Sequence, residues 1–207
     1  MKFIRYYSHE IFSVLVLILL TWSAVFLTPD FAQKIILVYS FLFLLHEWEE
    51  NNYPGGFFDM LIGEIARISP MPEPRQLRES RIGVYILLSL FLFPAFFLHK
   101  YLWLVLPIVY LGIFEGLAHT LCIPIFKLNR RYTPGMCTAL IQFVTSIYTL
   151  VLLAKTDIAG WQWATAVLFF FIGFAIMVNI GMRLNHFKPT EMPKRIIANL
   201  KDTWGKN

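Results

Sequence analysis

Charge is scarce in this chain. Charged residues make up 15% of the 207 positions, where a soluble domain carries about a quarter. The shortfall is filled by apolar side chains at 57% and by aromatic ones at 17%, which excludes an ordinary water-soluble domain. Cysteine is also rare. Cys122 and Cys137 are too few to imply a disulfide framework. A signal-peptide cleavage pattern is missing as well. Residues 11–28 follow Lys2 and Arg5 with an apolar middle, but Phe26-Leu27-Thr28-Pro29 lacks the small-x-small cleavage site. The run is therefore expected to persist as a first membrane span. No internal repeat is visible and no separate soluble domain stands out.

What the sequence does contain is a series of long apolar runs. They predict an all-α, polytopic membrane bundle of six spans, at about 11–28, 31–50, 82–98, 102–126, 133–154 and 158–182. Between the second and third spans lies a polar connection stiffened by Pro70, Pro72 and Pro74. Inside it, residues 57–68 place Phe58, Leu61, Ile62, Ile65 and Ile68 on one face and Asp59, Glu64 and Arg67 on the other. That piece is too short to cross a bilayer and is expected to lie in the interface plane. Residues 183–207 read as a polar, basic tail.

With both termini on the cytoplasmic side, fifteen of the Lys and Arg residues fall inside and three, Lys34, Lys100 and Lys155, fall outside. So strong a bias fixes the expected orientation in a cytoplasmic membrane, and it requires an even number of spans. Trp103, Trp161 and Trp163 then share the outer interface, as an aromatic belt would. The net charge of +5 belongs to topology and anionic lipid, so no nucleic-acid partner is implied.

This arrangement gives the few polar residues inside the spans their meaning. The second span ends in Leu44-Leu45-His46-Glu47-Trp48-Glu49-Glu50, where helical spacing gathers His46, Glu49 and Glu50. The fourth span carries Glu115 and His119 at i, i+4, with Gly112 and Gly116 beside them for close helix approach. Arg130, Tyr132, Pro134 and Gly135 open the fifth span at the same depth. Ionisable groups at membrane depth are costly, which makes them default candidates for function. Two imidazoles with carboxylates suit a divalent metal, zinc or else iron or manganese. His46, His119 and one of Glu49 or Glu115 are the expected ligands, Glu50 the expected base, and Arg130 or Tyr132 the expected stabiliser of negative charge. The plain alternative is that Glu49 and Glu50 mark the wet end of the span, solvated or paired with Arg75, Arg78 or Arg81, while Glu115 pairs with His119 or an arginine.

His46-Glu47-Trp48-Glu49-Glu50, the later helix with His119, and Tyr132-Thr133-Pro134-Gly135 together resemble the HXXEE family of multi-span membrane proteins. The resemblance covers roughly residues 40–140 and implies a multi-span protein with a polar site. It implies no established reaction. The family's second motif is Asn-x-x-x-His, and here Glu115 stands in place of the Asn, adding a candidate ligand. Glu49-Glu50 is also similar to the start of the Glu-Glu-x-x-x-Arg motif of CAAX-processing intramembrane glutamate proteases. The final position of that motif is Pro54 here, and Glu115 replaces the phenylalanine of their Phe-x-x-x-His. The leading functional expectation is a metal-dependent, hydrolase-like membrane enzyme acting on a lipid or membrane-proximal substrate. The competing expectation is a transporter using the same cluster as a proton or cation site.

Overall fold

The structure, a computed structural model, describes residues 2–205. The last two residues of the expected tail, 206 and 207, lie outside them. The described residues are helical throughout, without strands. A short helix α1 (Lys2–Tyr6) leads into α2 (Ser8–Phe26), and α3 (Phe31–Asn51) follows after a tight connection. Asp30 sets the start of α3. Its carboxylate accepts from Gln33 N at 2.9 Å and its own N–H donates to the Gln33 side chain at 3.2 Å, a reciprocal capping box. Further on come α4 (Phe57–Met60), a π-helical turn (Leu61–Ile65), α5 (Pro74–Ser80) and α6 (Ile82–Phe97). A 3-10 turn (Leu102–Val105) runs into α7 (Leu106–Ile125), followed by α8 (Met136–Leu153), α9 (Gly160–Leu184) and α10 (Glu191–Trp204). Pro74 occupies the first turn of α5, where its missing N–H costs nothing.

Five stretches are long and apolar enough to cross a membrane: α2, Pro74–Phe97, Leu102–Ile125, α8 and α9. The shortest has 18 residues, about 27 Å of helix against a hydrocarbon core of about 30 Å. The remaining expected span, the second, is α3, which is as long at 21 residues, but Lys34, Glu47, Glu49 and Glu50 set its composition apart from the others. Packing explains how α3 tolerates them. It lies against α2, α6 and α8, and Ile36, Tyr39, Phe43, His46, Glu47 and Glu50 are all buried. Lipid offers no hydrophobic drive between helices, so close contact must supply the cohesion. At the α7–α8 contact a Cβ on Gly112 would fall 2.4 Å from Ser146 Oγ, and one on Gly116 would fall 2.5 Å from Phe143 Cβ. The expected role of these two glycines in close helix approach is met.

Two expected segments gain detail. Residues 57–65 are continuously helical, with Asp59, Glu64 and Arg67 exposed and much of the apolar face covered by the protein itself. The α4 helix passes into the π turn, and Arg67 ends the segment at a φ of 48°. Ile62, Ala66 and Ile68 are covered by Leu77, Phe187, Met192 and Ile196. The covering element comes from the expected tail, whose residues 191–204 form α10. Asn199 fixes the two together, its Nδ2 donating to Glu64 O at 3.2 Å and Ile65 O at 2.8 Å.

Candidate metal centre

The last two turns of α3 place His46 and Glu50 one helical turn apart, and the second half of α7 does the same for Glu115 and His119. Packing brings the two pairs face to face. One ligand atom from each of the four residues lies within 4.8 Å of all the others. His119 Nε2 is 2.9 Å from Glu50 Oε1 and 3.7 Å from Glu115 Oε2. His46 Nε2 is 3.4 Å from Glu50 Oε1 and 3.9 Å from Glu115 Oε2. Both histidines are buried, Glu50 is 5% exposed, and the Glu115 side chain is 19% exposed.

The far nitrogens of the two rings reveal how the near ones are presented. His119 Nδ1 is 3.0 Å from Thr133 Oγ1, and that hydroxyl donates its single proton to the His119 carbonyl at 3.1 Å. Its oxygen must then accept from Nδ1–H. His46 Nδ1 is likewise 3.0 Å from Thr138 Oγ1, whose proton goes to the Glu49 carboxylate. Each Nε2 is then the nitrogen presented to the two carboxylates, where it can donate a proton to Glu50 or, deprotonated, offer a lone pair to a metal ion. A hydroxyl behind each ring plays the orienting part that outer partners play at histidine metal sites. Zinc distances of about 2.0–2.2 Å put tetrahedral ligand atoms about 3.3 Å apart, within the spread seen here. A divalent ion with two neutral imidazoles and two carboxylates is also electrically neutral, which limits the cost of burying it. The residues present fit such an ion.

Gly135 closes the group from the side. Its φ of +92° favours glycine, and a Cβ there would stand 2.7 Å from Glu50 Cγ and His119 Cε1 and 3.0 Å from His46 Cε1. Phe57 covers the opposite face of His119, with ring centroids 4.5 Å apart.

Several expected site residues fall elsewhere. Glu49, expected as a ligand, points toward α8. Its Oε1 accepts from Cys137 N at 3.1 Å and from the Tyr132 hydroxyl, and its Oε2 accepts from Thr138 N at 2.9 Å. With glycine at the N-cap, α8 has no side-chain cap of its own. Glu49 supplies the negative charge its N-terminus favours. Glu50, expected as the base, stands instead among the ligand atoms. Tyr132 is engaged by Glu49, and burial and that carboxylate push its phenol above the ordinary range. Arg130 is ion-paired with Glu64 on the π turn, away from the cluster. Of the arginines named in the plain alternative, Arg75 pairs with Glu79 and Arg78 with Glu10, while the Glu115–His119 pair it expected is present at 3.7 Å.

Thr133, Thr138 and Glu47 belong to the site without having been assigned a role from the sequence. Thr133 lies inside the Tyr132–Gly135 element that sequence does single out. Thr138 follows Gly135 by three residues, the spacing of one helical turn. Glu47 is 3% exposed and its Oε2 accepts from Asn51 Nδ2 at 3.1 Å. Next to the cluster is a cavity of about 500 Å³ between α3, α6, α7 and α9, with Glu47, Glu50 and Glu115 on its wall.

Neither a curated protein nor a solved structure gives a match to the chain. A family model does match residues 37–150, described as a protein of unknown function with HXXEE motif. That stretch contains all four ligand candidates, both threonines and Gly135. It covers more than half of the sequence, and the chain belongs to the HXXEE family.

Proposed function

We propose that this protein is a membrane-embedded, metal-dependent enzyme of hydrolytic type, acting at the cytoplasmic side on a lipid or membrane-proximal substrate. One observation carries the reading: Nε2 of both imidazoles and the Glu50 and Glu115 carboxylates converge within 4.8 Å of one another, while a threonine hydroxyl stands behind each Nδ1. The bias of basic residues supports the cytoplasmic side and an even span count with α3 included. Five long apolar stretches support membrane residence.

A divalent ion held there would polarise a carbonyl and acidify water. His46 and His119 would hold it through Nε2 and Glu50 through Oε1. Glu115 is the more exposed carboxylate and lies on the cavity wall. It is the group that takes the proton from attacking water and returns it to the leaving atom. Phe57 and Gly135 exclude bulk water from the two imidazoles.

Elemental analysis of the detergent-purified protein beside His46→Ala and His119→Ala tests this. Near-stoichiometric metal in the parent protein, lost from both variants, is the expected result. A folded parent protein that stays metal-free after addition of zinc, iron and manganese overturns it.

A second reading, a proton or ion site of a transporter, has one observation in its favour. Thr138, Gln142, Ser146 and Thr149 form a largely buried polar stripe along α8, leading away from the cluster. The stripe is closely packed at Ser146, whose Oγ lies 2.4 Å from where a Cβ on Gly112 would stand. Proton flux in proteoliposomes, abolished by Gln142→Leu, would favour transport over hydrolysis.

A further inference from the structure

The cavity beside the cluster has a chemical polarity that defines what it accepts. Its volume is about 500 Å³, inside the range of about 300–1,000 Å³ in which proteins hold small ligands. Most of the wall is hydrocarbon, with Phe43, Leu88, Phe114, Phe174, Met177 and Ile196 drawn from five helices. Ionisable groups enter the wall at Glu47, Glu50 and Glu115, all of them carboxylates. No Lys, Arg or His lines it among the described residues. Arg81 lies near the wall, its guanidinium 5.4 Å from the centre of the Phe58 ring, but it is not among the residues that line the cavity.

Resting on the metal-centre reading above, we infer that the substrate is an uncharged, single-chain lipid ester. Its chain occupies the apolar cavity and its acyl carbon lies at the His46–Glu50–Glu115–His119 end. The absence of a wall cation carries the argument. A divalent ion at the centre is already balanced by Glu50 and Glu115, so a phosphate or carboxylate head would bring its charge beside Glu47 with nothing to offset it. Burying an uncompensated charge is far more costly than burying a neutral ester. The volume provides for one chain.

In the reaction, the water oxygen bonds to the acyl carbon as the ester C–O bond breaks. The water proton passes through Glu115 to the departing alkoxide, giving an alcohol. The acid formed then ionises and releases a second proton. As an anion it faces a wall without a cation, so the feature that disfavours anionic substrates also favours release of the product.

Monooleoylglycerol, oleate and lysophosphatidate are suitable probes for native mass spectrometry of the purified protein, with metal content measured on the same samples. Monooleoylglycerol is expected to bind at least about tenfold more tightly than either anion. Val178→Trp, which fills the cavity, is expected to abolish that binding while metal content is unchanged. Glu47→Lys places a cation on the wall, away from the ligand candidates, and is expected to narrow the preference over oleate. Oleate or lysophosphatidate binding as tightly as the neutral ester overturns the inference, as does binding indifferent to both substitutions. The two readings fail separately. Selective ester binding by a protein that takes up no metal overturns the centre, whereas full metal loading without ester binding overturns the substrate class alone.

Discussion

Thr133 grips His119 twice, accepting from its ring at Nδ1 over 3.0 Å and donating to its main-chain carbonyl over 3.1 Å. One hydroxyl thereby sets both the tautomer of the ring and its rotation relative to α7. Thr133→Val keeps the shape and removes both bonds. Metal affinity is expected to fall roughly 10–100-fold, as for outer partners at other histidine sites. A chelator competition titration reads this directly, and unchanged affinity would show that the ring needs no such support. Thr133→Ser should restore most of the loss.

Gly135 meets two obstacles to a side chain at once. Its positive φ acts together with crowding, since a Cβ there would come within 2.7 Å of both Glu50 and His119. Gly135→Ala is expected to lower both the thermal midpoint and the metal content. Gly160→Ala is the control, because a Cβ there meets nothing within 4 Å. Equal effects of the two substitutions in thermal unfolding would refute the steric argument.

The adjacent carboxylates Glu49 and Glu50 have separate tasks, and their amide variants should separate. Glu49→Gln is expected to retain metal and to lose about 0.3–1 kcal/mol of stability through the weakened charge at the α8 N-terminus. Glu50→Gln is expected to lose metal outright. Metal loss in Glu49→Gln with retention in Glu50→Gln would reverse the assignment, and elemental analysis beside thermal melts decides it.

That pair also shows how far the sequence could be read. The i, i+4 pairs His46/Glu50 and Glu115/His119 follow from helical periodicity alone, and so does their shared end of the bundle once the spans are ordered. The choice between Glu49 and Glu50 does not follow. Adjacent helical residues point about 100° apart, and only the packing of α3 against α7 and α8 selects which of them turns inward. Arg130 and Tyr132 lie on a loop where Lys127 takes a φ of 48°, and no periodic signal predicts where such a loop aims its side chains. The α10 helix is charged along one face and reads as a tail until residues 57–68 are seen to need a cover. Thr138 was hidden for a different reason, since a threonine inside an apolar helix signals nothing without its histidine.

The cover itself is the last feature open to test. Asn199 is 3% exposed, and its amide satisfies the Glu64 and Ile65 carbonyls at the end of the π turn. Asn199→Leu leaves both acceptors buried without a donor, at a cost of roughly 1–3 kcal/mol each. Because α10 and the π turn share this contact, they should loosen as one unit. Hydrogen–deuterium exchange is expected to quicken over 57–68 and 191–204 together, with α8 unaffected. Met192 and Ile196 of α10 also line the cavity, so the same substitution should weaken monooleoylglycerol binding while leaving the metal in place. Faster exchange in α10 alone would mean that the segment beneath it is held by other contacts, and that α10 merely rests on it.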